Sequence, residues 1–191
     1  MEQLELKTYP DPCLRIKTKP VEQFDKDLDK ILRVMADIMY VNQGIGLAAP
    51  QVGLGLSIFV MDTGSGLVNF INPQIIEVSD HKTSMEEGCL SLPGVLVNVS
   101  RPANVKVRAQ DARGEFFIKR LDALEAKAVQ HEIDHLAGKL IIDYLDPVRH
   151  FIAKFKLSTH KRKQHIKTCE VICHVGKKDN GRPGRGAEGK R

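Results

Sequence analysis

The strongest constraint on how this chain folds comes from one stretch, 121–137. There Leu124, Ala128, Val129, Ile133 and Leu136 recur at helical spacing around the sequence His131-Glu132-Ile133-Asp134-His135. Two histidines four apart lie on one face of a helix and can both reach a single metal ion. Gly138 is a natural stop just past the last turn. A helix with apolar residues flanking such a pair on both sides belongs inside a fold, so a buried central helix is expected, wrapped by the rest of the chain. A solvated helix face with incidental histidines is the competing reading, and the apolar flanks weigh against it.

Two histidines do not complete a catalytic site, which usually takes three protein ligands and leaves one position for water. The extended HExxHxxGxxH pattern requires a histidine at 141, and that residue is Ile141. A glutamate ligand some twenty residues downstream is also missing: Phe155 stands there, and no Glu occurs between His135 and Glu170. Upstream, Glu86-Glu87-Gly88-Cys89-Leu90-Ser91 offers a lone cysteine after a glycine, and a thiolate is a strong ligand for a divalent transition metal. Alone, Cys89 reads better as a buried structural cysteine; beside an incomplete two-histidine site the order reverses and it becomes the best third ligand. Glu132 then sits where it can take a proton from a water that the metal acidifies. A small metallopeptidase and a closed structural zinc site, with Cys169 or Cys173 as fourth ligand, remain open on these residues alone.

A third segment, Gly44-Ile45-Gly46-Leu47-Ala48-Ala49-Pro50-Gln51, does not follow a strand and lacks the spacing and helix of a dinucleotide loop. Its small residues suit a backbone pressed against a substrate, and Gln51 offers an amide donor to a developing oxyanion. A tight structural turn is the simpler account of the glycines.

Elsewhere the pattern alternates between helix and strand. Asp25 to Val41 carries Leu28, Ile31, Leu32, Met35, Ile38 and Met39 on one helical face. Short strands are expected at Leu56–Met61 and Leu67–Ile71, joined as a hairpin through Gly64-Ser65-Gly66, and beyond the interruption of Asn72-Pro73 at Gln74–Val78. Val95–Val99, Val105–Ala109 and Glu115–Ile118 continue the series, with Asp111-Ala112-Arg113-Gly114 as a turn. Asp146-Pro147 opens a last helix with Val148, Phe151, Ile152 and Phe155.

Composition supports one globular unit with an appendage: 42% of residues are hydrophobic and 28% charged. No apolar run is long enough for a membrane span and the start lacks the order of a secretory signal, so a cytoplasmic protein is expected. Four cysteines, unevenly spaced, do not suggest a disulfide framework. The net charge of +5 is unevenly spread: from Lys154 onward twelve Lys or Arg face Glu170, Asp179 and Glu188, a balance of +9, which leaves the preceding residues at −4. The expected organisation is a catalytic domain at 1–168 that includes the last helix, and a basic, disordered tail at 169–191. Cys169 and Cys173, near His165 and His174, have the spacing of one helix face as much as that of a second metal site.

Taken in order, Gly44–Gln51, Glu87–Ser91 and Gln130–His135 resemble the peptide deformylases, whose motifs read GxGxAAxQ, EGCLS and QHExDH. All three match, and the likeness runs from Tyr9-Pro10-Asp11-Pro12 to about Leu145. The resemblance implies an α+β fold in which antiparallel sheets surround a central helix carrying the HExxH motif, with a C-terminal helix. It implies a metal-dependent hydrolase that removes the formyl group from the N-formylmethionine of nascent polypeptides and releases formate. By the same likeness Cys89, His131 and His135 bind one divalent ion, Fe(II) expected, with Zn(II), Ni(II) or Co(II) as possible substitutes. Glu132 would be the general base, and Gln51 with the Leu90 N–H would serve the oxyanion. Gly44, Ile45, Gly46, Leu124 and Ala128 would contact substrate, and Glu87 would pair with Arg101. Many members carry Arg-Gly after the second motif where this chain has Leu96-Val97, so contacts beyond the methionine are expected to be its own. The basic tail makes the ribosome a candidate partner; membrane and DNA are not expected.

Overall fold

The computed structural model describes residues 4–159. The tail at 169–191, the end of the proposed catalytic domain and the Cys169/Cys173 pair lie outside those residues. Helix α1 (Lys26–Val41) starts at Asp25, whose carboxylate accepts from the N–H groups of Asp27 and Leu28, both at 3.0 Å. Seven strands follow: β1 (Gly46–Ala48), β2 (Ile58–Met61), β3 (Val68–Val78), β4 (Lys82–Gly88), β5 (Leu96–Pro102), β6 (Val105–Gln110) and β7 (Phe116–Leu121). Helix α2 (Ala123–Leu136) carries the two histidines, and a further helix, α3, begins at residue 147 and continues to 159.

All strand pairs are antiparallel, in a five-stranded sheet of order β1-β2-β3-β6-β7 and a two-stranded sheet β4-β5. The α+β architecture is the expected one. The large sheet is covered on both faces, and the alternation along β2 shows how. Ile58 and Val60 join Leu28, Leu32, Met35 and Met39 of α1 in one core cluster, whereas Phe59 and Met61 join Ala126, Ala128 and Val129 of α2 in another. A third cluster sets Val97 and Val99 of β5 against Leu140, Ile141, Ile142 and, from α3, Ala153 and Leu157. Helix α2 thus lies between the two sheets.

Both predicted turns close as side-chain-capped turns. Asp62 Oδ1 accepts from Gly64 and Gly66, and Asp111 Oδ1 accepts from Arg113 and Glu115. One sequence expectation is corrected. Residues 67–71 and 74–78 are not two strands but the single β3. The chain crosses Asn72 with φ +50° and a register shift against β6, and the Asn72 side chain bonds both the N–H and the carbonyl of Val21. Strands β1 and β4 were not anticipated. Gly138 ends α2 as expected and for an additional reason: its φ is +72°, and a Cβ there would stand 2.6 Å from the Arg15 carbonyl oxygen.

Candidate metal centre

Helix α2 is buried nearly all round. Its apolar side lies on the large sheet, and a polar stripe at three-and-four spacing faces the small one. Lys127 donates to the carbonyls of Thr83 and Arg101, Gln130 to that of Pro102, His131 meets Glu87, and Asp134 meets Arg101. Lys127 is only 3% exposed, and burial lowers its pKa. Arg101 holds the stripe to β4. Its Nε and Nη2 reach the two Glu87 oxygens at 2.6 and 3.0 Å, and its Nη1 reaches Asp134 at 2.8 Å and the Tyr144 hydroxyl at 3.1 Å. The Glu87–Arg101 pairing is therefore present as expected; the joining of Asp134 and Lys127 to it was not foreseen. Burial alone would raise the Glu87 carboxyl, but hydrogen bonds from His131 and Arg101 outweigh it and hold Glu87 below the usual carboxylate range.

Cys89, His131 and His135 converge, with their ligand atoms all within 4.8 Å of one another. His135 Nε2 lies 3.2 Å from His131 Nε2 and 3.3 Å from Cys89 Sγ. Bonds of about 2.0–2.3 Å at tetrahedral angles hold N and S ligand atoms roughly 3.3–3.6 Å apart. The spacing and the donor set of one thiol and two imidazoles therefore fit a divalent transition metal. His131 Nδ1 is 3.0 Å from Glu87 Oε2, which makes it the donor of that bond and leaves Nε2 to face the other two ligand atoms. Burial opposes a charge on either ring. The hydrogen bonds to Cys89 and Glu87 nevertheless raise the His131 pKa, while burial and the adjacent His131 depress that of His135. Among the described residues no fourth Cys, His, Asp or Glu joins the cluster.

Glu132, the next residue of α2, is buried, its Oε2 has no hydrogen-bond partner among the described residues, and burial pushes its pKa up to about 7 against the pull of His131 and Arg101. Room for it comes from Gly46, where a Cβ would lie 2.4 Å from Glu132 Oε1. The orientation of Gln51 is set by the backbone. Its Oε1 accepts from the Ala48 N–H at 2.9 Å, so the NH2 group must turn toward Ser91 Oγ, 3.1 Å away, and Cys89 Sγ, 3.6 Å away. The Leu90 N–H has no acceptor among the described residues.

A cavity of about 400 Å³ opens onto this group. Every predicted substrate-contacting residue lines it: Gly44, Ile45, Gly46, Leu124 and Ala128, together with Gln51, Cys89, Leu90, His131 and Glu132. His135 stands behind, buried, and reaches the site only through the ligand cluster. With a divalent ion on Cys89, His131 and His135, such an arrangement would acidify a water in the cavity that the Glu132 carboxyl and the Gln51 amide also line.

Comparison with known proteins gives the same direction. The family model described as polypeptide deformylase matches residues 3–151. Peptide deformylase of Thermotoga maritima is 43% identical over 152 residues, covering 80% of this chain and 93% of its own length. Peptide deformylase 1B of Arabidopsis thaliana, chloroplastic/mitochondrial, is 43% identical over 145 residues, 73% of this chain and 53% of its own. Among solved structures, a peptide deformylase from Legionella pneumophila superposes with a TM-score of 0.81 at 39% identity, covering 85% of this chain and 97% of that one.

Proposed function

The chain belongs to the polypeptide deformylase family, and from that premise we propose that it hydrolyses the formyl group from the N-formylmethionine of nascent polypeptides, releasing formate and a free amino terminus. The observation that carries this reading is the convergence of Cys89, His131 and His135, the first two of which line a cavity that also holds a buried carboxyl. These three residues would hold one divalent metal, Fe(II) in the cell, with Zn(II), Ni(II) or Co(II) able to replace it. When bound, the ion would polarise the formyl oxygen and acidify a water. Glu132 would act as general base toward the attacking water, which adds to the formyl carbon. The same carboxyl, now protonated, would hand that proton to the amine as its bond to the formyl carbon breaks. Gln51 Nε2 and the Leu90 N–H donate to the formyl oxygen as its charge develops. The methionine side chain enters between Ile45, Leu124 and Ala128, and the peptide backbone runs along Gly44–Gly46 and Gly88–Leu90.

Formate release from formyl-Met-Ala-Ser, measured together with free-amine appearance on the metal-loaded chain, tests the assignment. Cleavage of the Met-Ala bond instead would indicate a peptidase, and full metal occupancy with no hydrolysis a structural site. Among the described residues no helix is long and apolar enough to cross a membrane, and we assign the chain to the cytoplasm, where formylated nascent chains emerge. The excess of positive charge from Lys154 onward further suggests docking on ribosomal RNA. Removing residues 160–191 should reduce low-salt ribosome co-sedimentation while short-peptide turnover persists. The cut belongs after Thr159 because Leu157 is buried in the third core cluster.

A further inference from the structure

The large apolar residues that mark α3 in the sequence are not the ones that seat it. Ala153 and Leu157 are buried in the third core cluster, His150 Nδ1 donates to the Ile142 carbonyl at 2.9 Å, and Asp146 Oδ1 caps the first turn by accepting from Val148 and Arg149. These contacts fix which way the helix faces. Val148, Phe151, Ile152 and Phe155 then point away from the body, each between 59% and 71% exposed. At the pitch of an α-helix the four fall within about 100° of one another, opposite Ala153 and Leu157. Cations border both edges of this stripe, Lys154 on one and Arg149 with Lys156 on the other, all of them exposed. Arg149 reaches Asp146, whereas Lys154 and Lys156 meet no carboxylate among the described residues, and 147–159 contains no Asp or Glu. Lys161, Arg162 and Lys163 follow in the sequence.

We propose that α3 is a peripheral membrane contact: its stripe of Val148, Phe151, Ile152 and Phe155 enters the headgroup region of a bilayer carrying anionic lipids, while Arg149, Lys154 and Lys156 meet the phosphates. The proposal does not depend on the deformylase reading. A helix that lies in the interface needs one apolar face bordered by cations, not the length of a membrane span. Lysine and arginine stems lie along the apolar boundary and keep their charges at the headgroups. A second copy of the chain answers only half of this pattern. Two α3 stripes face to face would set the cationic edges of one helix against those of the other, with no acid on either beyond the Asp146 caps. RNA would meet the cations but leave four large apolar side chains in water.

Flotation of the full chain with phosphatidylcholine vesicles, with and without about one-third phosphatidylglycerol, tests the contact. At low salt the chain should bind the anionic vesicles at least about tenfold better than the neutral ones. Because the basic tail alone would draw the chain to anionic lipid, the deciding variant is Phe151→Gln/Phe155→Gln, which keeps every charge. It should lower the partition coefficient on anionic vesicles by about tenfold or more, with the denaturant midpoint unchanged, since both side chains already face water in the free protein. Lys154→Gln/Lys156→Gln should lower it by a smaller factor, and on anionic vesicles alone. Equal partition of the parent and the double phenylalanine variant, or no flotation with either vesicle, would overturn the proposal. With vesicle binding unmoved, a dimer in sedimentation velocity that this variant dissolves would assign the stripe to a second copy, and ribosome co-sedimentation that it loses would assign the stripe to a ribosomal partner; either result removes the membrane contact.

Discussion

Gly46→Ala presses directly on the proposed proton carrier. Gly46 has no left-handed backbone angle, so an alanine there brings no backbone strain, only a methyl group. That methyl would lie 2.4 Å from Glu132 Oε1, 2.9 Å from Cδ and 3.1 Å from Cγ. Non-bonded carbon and oxygen atoms settle near 3.5 Å, so the carboxyl must retreat by about 1 Å or β1 must move. A displacement of that size at a reacting group costs on the order of 10²-fold in rate, about 2.7 kcal/mol of barrier. If β1 moves instead, overpacking costs roughly 1–3 kcal/mol of stability. Neither route touches Cys89, His131 or His135, so one equivalent of metal should remain bound. The assay is kcat/KM for formate release from formyl-Met-Ala-Ser, with metal content and a denaturant midpoint on the same preparation. Gly88→Ala, whose methyl would meet only the end of the Leu96 side chain at 3.2 Å, should cost clearly less. Activity within threefold of the parent, with metal and stability unchanged in Gly46→Ala, would refute the claim that Glu132 works from the position it occupies here.

Cys89→Ala should lose the stoichiometric metal, since two histidines are an incomplete site; full occupancy by metal analysis would break the ligand set. Arg101→Met should destabilise the fold by roughly 3–5 kcal/mol in chemical denaturation, because Glu87 and Asp134 would be left in the interior without their cation; a cost below 1 kcal/mol would show the network to be dispensable. Glu132→Gln should keep metal and fold yet lose on the order of 10²- to 10⁴-fold in turnover, and near-normal turnover would remove Glu132 from the proton path. The same variant reads out the raised carboxyl pKa. Between an ordinary 4.5 and about 7 the folded metal-free chain binds more protons at Glu132 than the unfolded one, so stability falls as pH rises through that window, by up to about 3 kcal/mol. Parallel stability-against-pH curves for parent and Glu132→Gln would contradict it.

Helices α1 and α2 and strands β5 and β6 were legible because each buries one regular set of apolar residues, β2 and β7 because they contain short apolar runs, and the candidate metal ligands because two histidines at helical spacing demand a third partner. What escaped did so for physical reasons. Strand β4, Lys-Thr-Ser-Met-Glu-Glu-Gly, belongs to a two-stranded sheet with little core to face, so apolar alternation never develops, and β1 is three residues of glycine and small aliphatic side chains. The pairing of Glu87 with Arg101 came from family likeness, since no spacing rule links residues fourteen apart on neighbouring strands. The deepest omission is the stripe Lys127, Gln130, His131 and Asp134. Polar residues at that spacing read as a solvated helix face, yet here they are the face that meets the small sheet. The signal that identifies them is the apolar face opposite combined with the histidine pair, because a helix that must bury its ligands cannot also leave their neighbours in water. The stripe also supplies what an apolar contact could not. An apolar face tolerates sliding between helix and strand, whereas a bidentate Arg101–Glu87 pair, a carboxyl on His131 Nδ1 and an ammonium on two carbonyls are satisfied in one register only. That register sets Cys89, at the end of β4, 3.3 Å from His135 on α2. The interior charges therefore act less as cement than as an alignment of two elements that share the candidate ligands of one ion.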